Sequence, residues 1–131
     1  MLVNNNQRIF KPYFMPLSNQ DIQYIQQART ILAENFDKHI TIPTLARQTG
    51  INEAKLKEGF KELYGQSIHT YLQQLRLQKA QHLLLTTEMT VTDITYDIGY
   101  SHVTHFTTLF KNEFGLTPTE YRKKHSPGEE E

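Results

Sequence analysis

The chain has no cysteine and no tryptophan among its 131 residues. Without cysteine there is no disulfide framework and no thiolate metal site. No apolar run approaches the roughly 20 residues that a membrane-spanning helix needs, and no signal-peptide pattern opens the chain. The expectation is a cytoplasmic protein with no membrane partner. An excess of one charge is also missing, since 14 Lys and Arg face 14 Asp and Glu. A nucleic-acid binder usually shows a basic surplus, but what counts is where the charge lies. Three of the acids are the terminal Glu129, Glu130 and Glu131, which leaves residues 1–125 with a surplus of three basic side chains. Strand-like alternation of useful length is absent, so the fold class is all-α. Nor is there a nucleophile–base pair, a glycine-rich phosphate loop or a carboxylate pair at catalytic spacing. The expectation is therefore no enzyme, no catalytic residue and no cofactor.

What is present is an internal echo. Thr41-Ile42-Pro43-Thr44-Leu45-Ala46-Arg47-Gln48-Thr49-Gly50 is answered 49 residues later by Thr90-Val91-Thr92-Asp93-Ile94-Thr95-Tyr96-Asp97-Ile98-Gly99. Phe60-Lys61-x-x-Tyr64-Gly65-x-Ser67 is answered by Phe110-Lys111-x-x-Phe114-Gly115-x-Thr117, now 50 residues on. A short helix, a glycine turn and a second helix closed by glycine thus occur twice. Two copies with a one-residue slip between them are too few and too irregular for a solenoid. The unit is the helix-turn-helix, whose second helix fits the DNA major groove.

Capping residues and periodicity divide the chain. Residues 1–17, with Asn4-Asn5-Asn6-Gln7 and two prolines, read as an N-terminal arm or linker. Residues 18–66 form the first subdomain. Ser18-Asn19 offers a cap for a first helix whose apolar stripe runs through Ile22, Ile25, Ala28 or the stem of Arg29, Leu32 and Phe36. Thr41 caps a second helix and Asn52 a third, ending near Leu63 before Gly65. Residues 67–86 form a linker helix with a buried side at Ile68, Tyr71, Leu72, Leu75, Ala80, Leu83 and Leu84. Residues 87–125 form the second subdomain: Thr90-x-x-Asp93 opens the fifth helix, Ser101 the sixth, and Thr117-Pro118-Thr119-Glu120 a short seventh. Residues 126–131 are an acidic, solvated tail. The architecture expected is two helix-turn-helix subdomains joined by a long helix, about seven helices in all. A linker of about 18 residues is roughly 27 Å long, which suits two reading helices one DNA turn apart, about 34 Å.

A family resemblance rests on the second unit. Asp93-Ile94-x-x-x-Ile98-Gly99-Tyr100-Ser101, followed by Phe106-x-x-x-Phe110-Lys111-x-x-Phe114-Gly115-x-Thr117-Pro118-x-x-Tyr121-Arg122, resembles the signature of the AraC family of transcription regulators. The resemblance covers about residues 20–124. In the first unit, Asn52-Glu53-x-Lys55-Leu56-Lys57-x-Gly59-Phe60-Lys61 looks like a subgroup of iron- and siderophore-responsive regulators. The resemblance implies a seven-helix, two-subdomain DNA-binding fold in which helices three and six read bases. It implies double-stranded DNA as partner, an activator, and a contact with RNA polymerase. It also implies an effector-binding domain separate from this chain, which would make the chain either an excised domain or a stand-alone regulator.

On the third helix, packing is expected to claim Leu56, Phe60 and Leu63, which leaves Ala54, Lys55, Lys57, Glu58 and Lys61 for the groove. Lys57 can donate to guanine O6 and N7, and Glu58 can accept from cytosine N4. Lys55 and Lys61 suit phosphates, which orient a protein without reading sequence. Family members often carry arginine where Glu58 stands. Gly59 in mid-helix costs about 1 kcal/mol against alanine and points to a close approach or a bend. On the sixth helix, Phe106, Leu109, Phe110 and Phe114 are expected to point inward. His102, Val103, Thr104, Thr107 and Thr108 then form the outer face, with Lys111 one turn further. Methyl groups of valine and threonine suit the thymine methyl, so this face should lean toward A·T. His102 and His105 lie one turn apart, but with no cysteine or matching carboxylate no metal site is assigned. Arg47, Arg76 and Lys79 read as structural or phosphate-facing. Arg122-Lys123-Lys124-His125 suits either a helix C-terminus or a weak DNA contact. The alternative function is a protein-interaction module built on a degenerate helix-turn-helix pair, suggested by Glu58 and the zero net charge.

Overall fold

The computed structural model describes residues 16–126. The expected arm and acidic tail lie almost wholly outside these residues. Among the described residues there are seven α-helices and no strand: α1 Asn19–Glu34, α2 Ile42–Thr49, α3 Glu53–Tyr64, α4 Ile68–Thr86, α5 Val91–Asp97, α6 Val103–Phe114 and α7 Pro118–Lys124. No helix among them is long and apolar enough to cross a membrane.

Local chemistry starts nearly every helix. Ser18 and Asp21 cap α1 reciprocally: the Asp21 amide donates to Ser18 Oγ and the Ser18 amide to an Asp21 carboxylate oxygen, each at 3.0 Å. Thr41, Asn52, Ser67 and Thr90 each accept the amide three residues on, at 3.2, 2.7, 3.0 and 3.0 Å. Thr117 and Glu120 complete a capping box at α7. Such bonds satisfy amides that have no partner inside the helix. The exception is α6. Ser101, expected as its cap, is not; His102 holds the cap position and makes no side-chain cap bond. The extra residue of the second turn is the reason, because helices matching at an offset of 50 make His102, not Ser101, the counterpart of Asn52.

The chain forms two compact units. Among the described residues, one comprises 16–32 together with Ile40–Thr70; the other comprises Ala33–His39 and 71–126. In the first, Ile25, Ala28 and Leu32 of α1, Leu45 and Ala46 of α2, and Leu56 and Phe60 of α3 are buried with Ile51. Ile22 and Phe36, the ends of the expected α1 stripe, are only half-buried. Leu63 is a correction: it is exposed, not packed, and stands 37% accessible in the last turn of α3. Its place in the core is taken by Gly59, one turn earlier on the inner side. A Cβ at Gly59 would stand 2.5 Å from Ile25 Cδ1 and 3.2 Å from Leu17 Cδ2, so the absence of a side chain lets α3 lie close to α1. Of the two readings of Gly59, close approach is the one observed.

The second unit buries Leu77, Ala80, Leu83 and Leu84 of α4 against Ile94, Ile98, Phe106, Phe110 and Tyr121. Leu77, absent from the expected stripe, is 1% exposed, whereas Tyr71, Leu72 and Leu75 are half-buried. Phe110 is the hub of this core. Its ring meets Phe106 edge-on at 5.8 Å, Tyr121 edge-on at 5.4 Å and Phe114 at 4.5 Å. Truncating such a buried aromatic costs about 3–5 kcal/mol. Arg122 closes the C-terminal end of α4, with Nε donating to the Leu84 carbonyl at 3.1 Å and Nη2 to the Thr87 carbonyl at 3.2 Å. The helix-terminal alternative for the basic run is therefore the one that holds for Arg122, and the helix it serves is α4 rather than its own.

Two predictions follow from this packing. Gly59→Ala gains about 1 kcal/mol of helix propensity, but the new methyl must displace Ile25, which is fully buried, and overpacking costs about 1–3 kcal/mol. A net loss of roughly 1 kcal/mol is expected in urea unfolding; a gain in midpoint would show that the α1–α3 contact is loose. The second prediction concerns acid. The Ser18 amide first, then the Lys55 ammonium, hold the Asp21 carboxyl below its usual range, and the Thr117 amide does the same for Glu120. A carboxyl that is more acidic when folded binds fewer protons in that state. Its stabilising contribution is complete above about pH 5 and is lost as the pH falls through the folded value. Asp21→Asn should lower the melting temperature near neutrality and flatten its decline below about pH 4, and adding Glu120→Gln should flatten it further. Melting curves of Asp21→Asn that run parallel to wild type across that window would contradict this.

Candidate nucleic-acid interface

Each unit contains a helix pair turned by the same backbone device. In the first, the Gly50 and Ile51 amides both donate to the Ala46 carbonyl, at 2.8 and 3.3 Å. In the second, Tyr100 donates to Thr95 at 3.0 Å and Gly99 to Tyr96 at 3.1 Å. Gly50 and Gly99 have φ of 94° and 102°, a left-handed conformation that costs other residues energy. Ala46 and Thr95, the equivalent small residues of α2 and α5, are 4% and 0% exposed. The Thr95 hydroxyl is satisfied by donating to the Val91 carbonyl at 2.8 Å, so it does not disturb the packing around it. Both small residues therefore sit in the core, and α2 packs on α3 as α5 does on α6.

With α2 and α5 behind them, α3 and α6 are left with one bare face each. On α3, Ala54, Lys57, Glu58 and Lys61 are all exposed. At about 100° per residue they span roughly 100° of arc, on the side away from Leu56, Gly59 and Phe60. Lys55 does not join them. Its Nζ lies 3.1 Å from Asp21 Oδ2, and its side chain is about one-third exposed. Asp21 is itself buried and fixed by Ser18, so Lys55 ties the first turn of α3 to the start of α1. No sequence pattern signals this pair, whose members lie 34 residues apart.

On α6, Thr104, Thr108 and Lys111 are exposed, while Val103 and Thr107 are half-buried. These five share roughly 140° of arc. The Thr108 hydroxyl donates to the Thr104 carbonyl at 3.0 Å, which leaves its methyl and a lone pair outward. His102, exposed, precedes the helix as its cap residue. His105 is turned toward Tyr100, with ring centroids 5.5 Å apart and edge-on. Of the expected inward residues, Phe106 and Phe110 are fully buried and Leu109 and Phe114 partly so. Arg47 is exposed, and its Nη2 donates to Thr44 Oγ1 at 3.4 Å. The two faces are chemically unlike: two lysines and a glutamate around an alanine on α3, hydroxyls, methyls and a single lysine on α6.

Comparison with known proteins agrees with this geometry. A family profile described as a helix-turn-helix domain matches residues 45–124. The HTH-type transcriptional activator RhaS of Enterobacter sp. (strain 638) is 36% identical over 107 residues, which cover 82% of this chain and 38% of RhaS. The chain thus spans well under half the length of that relative. Among solved structures, a probable AraC family transcriptional regulator from Rhodopseudomonas palustris is similar at a TM-score of 0.72 and 29% identity, covering 80% of this chain and 99% of that one. The DNA-binding domain of AdpA, solved in complex with a target DNA, has the same fold at a TM-score of 0.73 and 21% identity, covering 77% of this chain and 91% of that one. The chain belongs to the AraC-type family of helix-turn-helix proteins.

Proposed function

We propose that this chain is the DNA-binding part of a transcription regulator, and that it reads two successive major grooves with α3 and α6. What carries the reading is the pair of uncovered helix faces, each presented by a complete helix-turn-helix unit. RhaS, a transcriptional activator, and AdpA, whose DNA-binding domain has the same fold and was solved with a target DNA, supply the regulatory and DNA-binding context. The two-groove part rests on α4, a single helix of 19 residues and so about 28 Å long. Lys57 and Glu58 are assigned to base edges and Lys61 to phosphate on α3, with Ala54 admitting close approach. On α6, Val103, Thr104, Thr107 and Thr108 face bases with an A·T lean, and His102 and Lys111 face the backbone. Lys55 is assigned the smallest share, because Asp21 already neutralises it. A role as activator, with contact to RNA polymerase and an effector bound by a separate domain, completes the proposal. Nothing in the relatives named above supports the iron- and siderophore-responsive leaning of the first unit, and it is set aside.

The alternative, an interaction module, draws on Glu58, which is exposed in the middle of the α3 face. Gel shifts on promoter fragments separate the two. Lys57→Ala should weaken specific binding about tenfold and relax base preference at one position, as loss of a good base contact does. Lys61→Ala should weaken binding to all sequences alike and reduce the salt slope by about one. Thr104→Ala should cost a few-fold. Unchanged affinity in both Lys57→Ala and Thr104→Ala, or no preference over competitor DNA at moderate salt, would favour the interaction module.

A further inference from the structure

Residues Ala33–His39, the end of α1 and most of its connection to α2, belong to the second unit although they precede α2 in the chain. Arg76 of α4 holds them there. Its Nε donates to the Phe36 carbonyl at 2.7 Å and its Nη2 to the Lys38 carbonyl at 3.1 Å. The same guanidinium lies over the Tyr100 ring, with Cζ 4.9 Å from the centroid. A planar guanidinium can engage two carbonyls along its edge while its face stacks on an aromatic ring. Gly99 fits this cluster closely, since a Cβ there would stand 2.9 Å from the Asp37 carbonyl oxygen and 3.0 Å from Arg76 Cζ. Burial raises the Tyr100 phenol above its ordinary range and Arg76 only opposes that, so the ring under the cation stays neutral.

Tyr100 carries the contact on to α6. Its ring meets His105 edge-on at 5.5 Å and lies nearly parallel to Phe106, 24° apart at 6.2 Å. Its position matters because α6 lacks the local fastening that α3 has: Asn52 caps α3 at 2.7 Å, whereas His102 makes no cap bond. We propose that Arg76 is the positioning residue of the second reading helix. Anchored on the Phe36 and Lys38 carbonyls, it braces Tyr100, and Tyr100 sets the start of α6 where no cap does. The mechanical part of this inference stands on contacts alone; its consequence for DNA rests on the function proposed above.

Amide hydrogen exchange on the full chain tests the brace directly, with Arg76→Ala and Arg76→Lys. Lysine keeps the charge but cannot bond both carbonyls while offering a flat face to the ring, so it decides the matter if the alanine variant fails to fold. Amides from Tyr100 to Phe106 should exchange about tenfold faster or more, the scale of losing a charge-assisted hydrogen bond, while those of α3 stay unchanged. Unaltered protection over 100–106 in Arg76→Lys would overturn the proposal. A second readout uses DNA carrying both half-sites and DNA with the α6 half-site scrambled. Arg76→Lys should lose about tenfold on the first and nothing on the second. Faster exchange with no half-site effect would support the brace and count against α6 as a reader.

Discussion

In both units the amide of an apolar residue one step past a left-handed glycine, Ile51 or Tyr100, donates back to a carbonyl five residues earlier. That bond ends the short first helix and turns the chain back at a fixed angle. It can form only if the intervening residue accepts positive φ, which is why Gly50 and Gly99 stand where they do. Everything beyond it depends on the turn. It decides that Leu56 and Phe60, or Phe106 and Phe110, meet the core, and hence which side of α3 or α6 is left bare. A small residue, Ala46 or Thr95, at the carbonyl that receives the bond lets the helix pair close.

From this common device the two units diverge by one residue. Past Gly50 the chain needs only Ile51 before Asn52 caps α3; past Gly99 it runs through Tyr100 and Ser101 before His102 reaches the cap position. The first unit has a local cap, Asn52, and on the same turn the Lys55–Asp21 pair ties α3 back to α1. The second is fastened at a distance, through Tyr100, Arg76 and the carbonyls of the α1–α2 connection. One scaffold thus holds its two exposed helix faces by different means, a charged face on α3 and a hydroxyl- and methyl-rich face on α6.

Much of this was legible in the sequence, and the reason is short range. Caps such as Thr41, Asn52 and Thr117 act on the amide three residues on, and the glycine turns act over five, so both leave a local signature. The bare faces of α3 and α6 follow from helical period once Phe60 and Phe106 are known to point inward. What escaped depended on long range or on a shift in register. Ser101 is a better capping residue than histidine, but the slip in the turn puts it one position early. Leu63 has the right spacing for the core but sits in the final turn of α3, where it is left exposed. Lys55 looks like its neighbours Lys57 and Lys61 until Asp21, 34 residues away, is brought beside it. Arg76 is paired with carbonyls 38 and 40 residues earlier, and backbone carbonyls carry no sequence signal at all.

We propose that α3 and α6 are two unlike readers that recognise one bipartite DNA site. Selecting bound sites from random duplex DNA with the chain itself tests it most directly. The account predicts two enriched half-sites of different sequence with centres about ten base pairs apart, the α6 half-site richer in A·T. Enrichment of a single half-site, or of none, would contradict it.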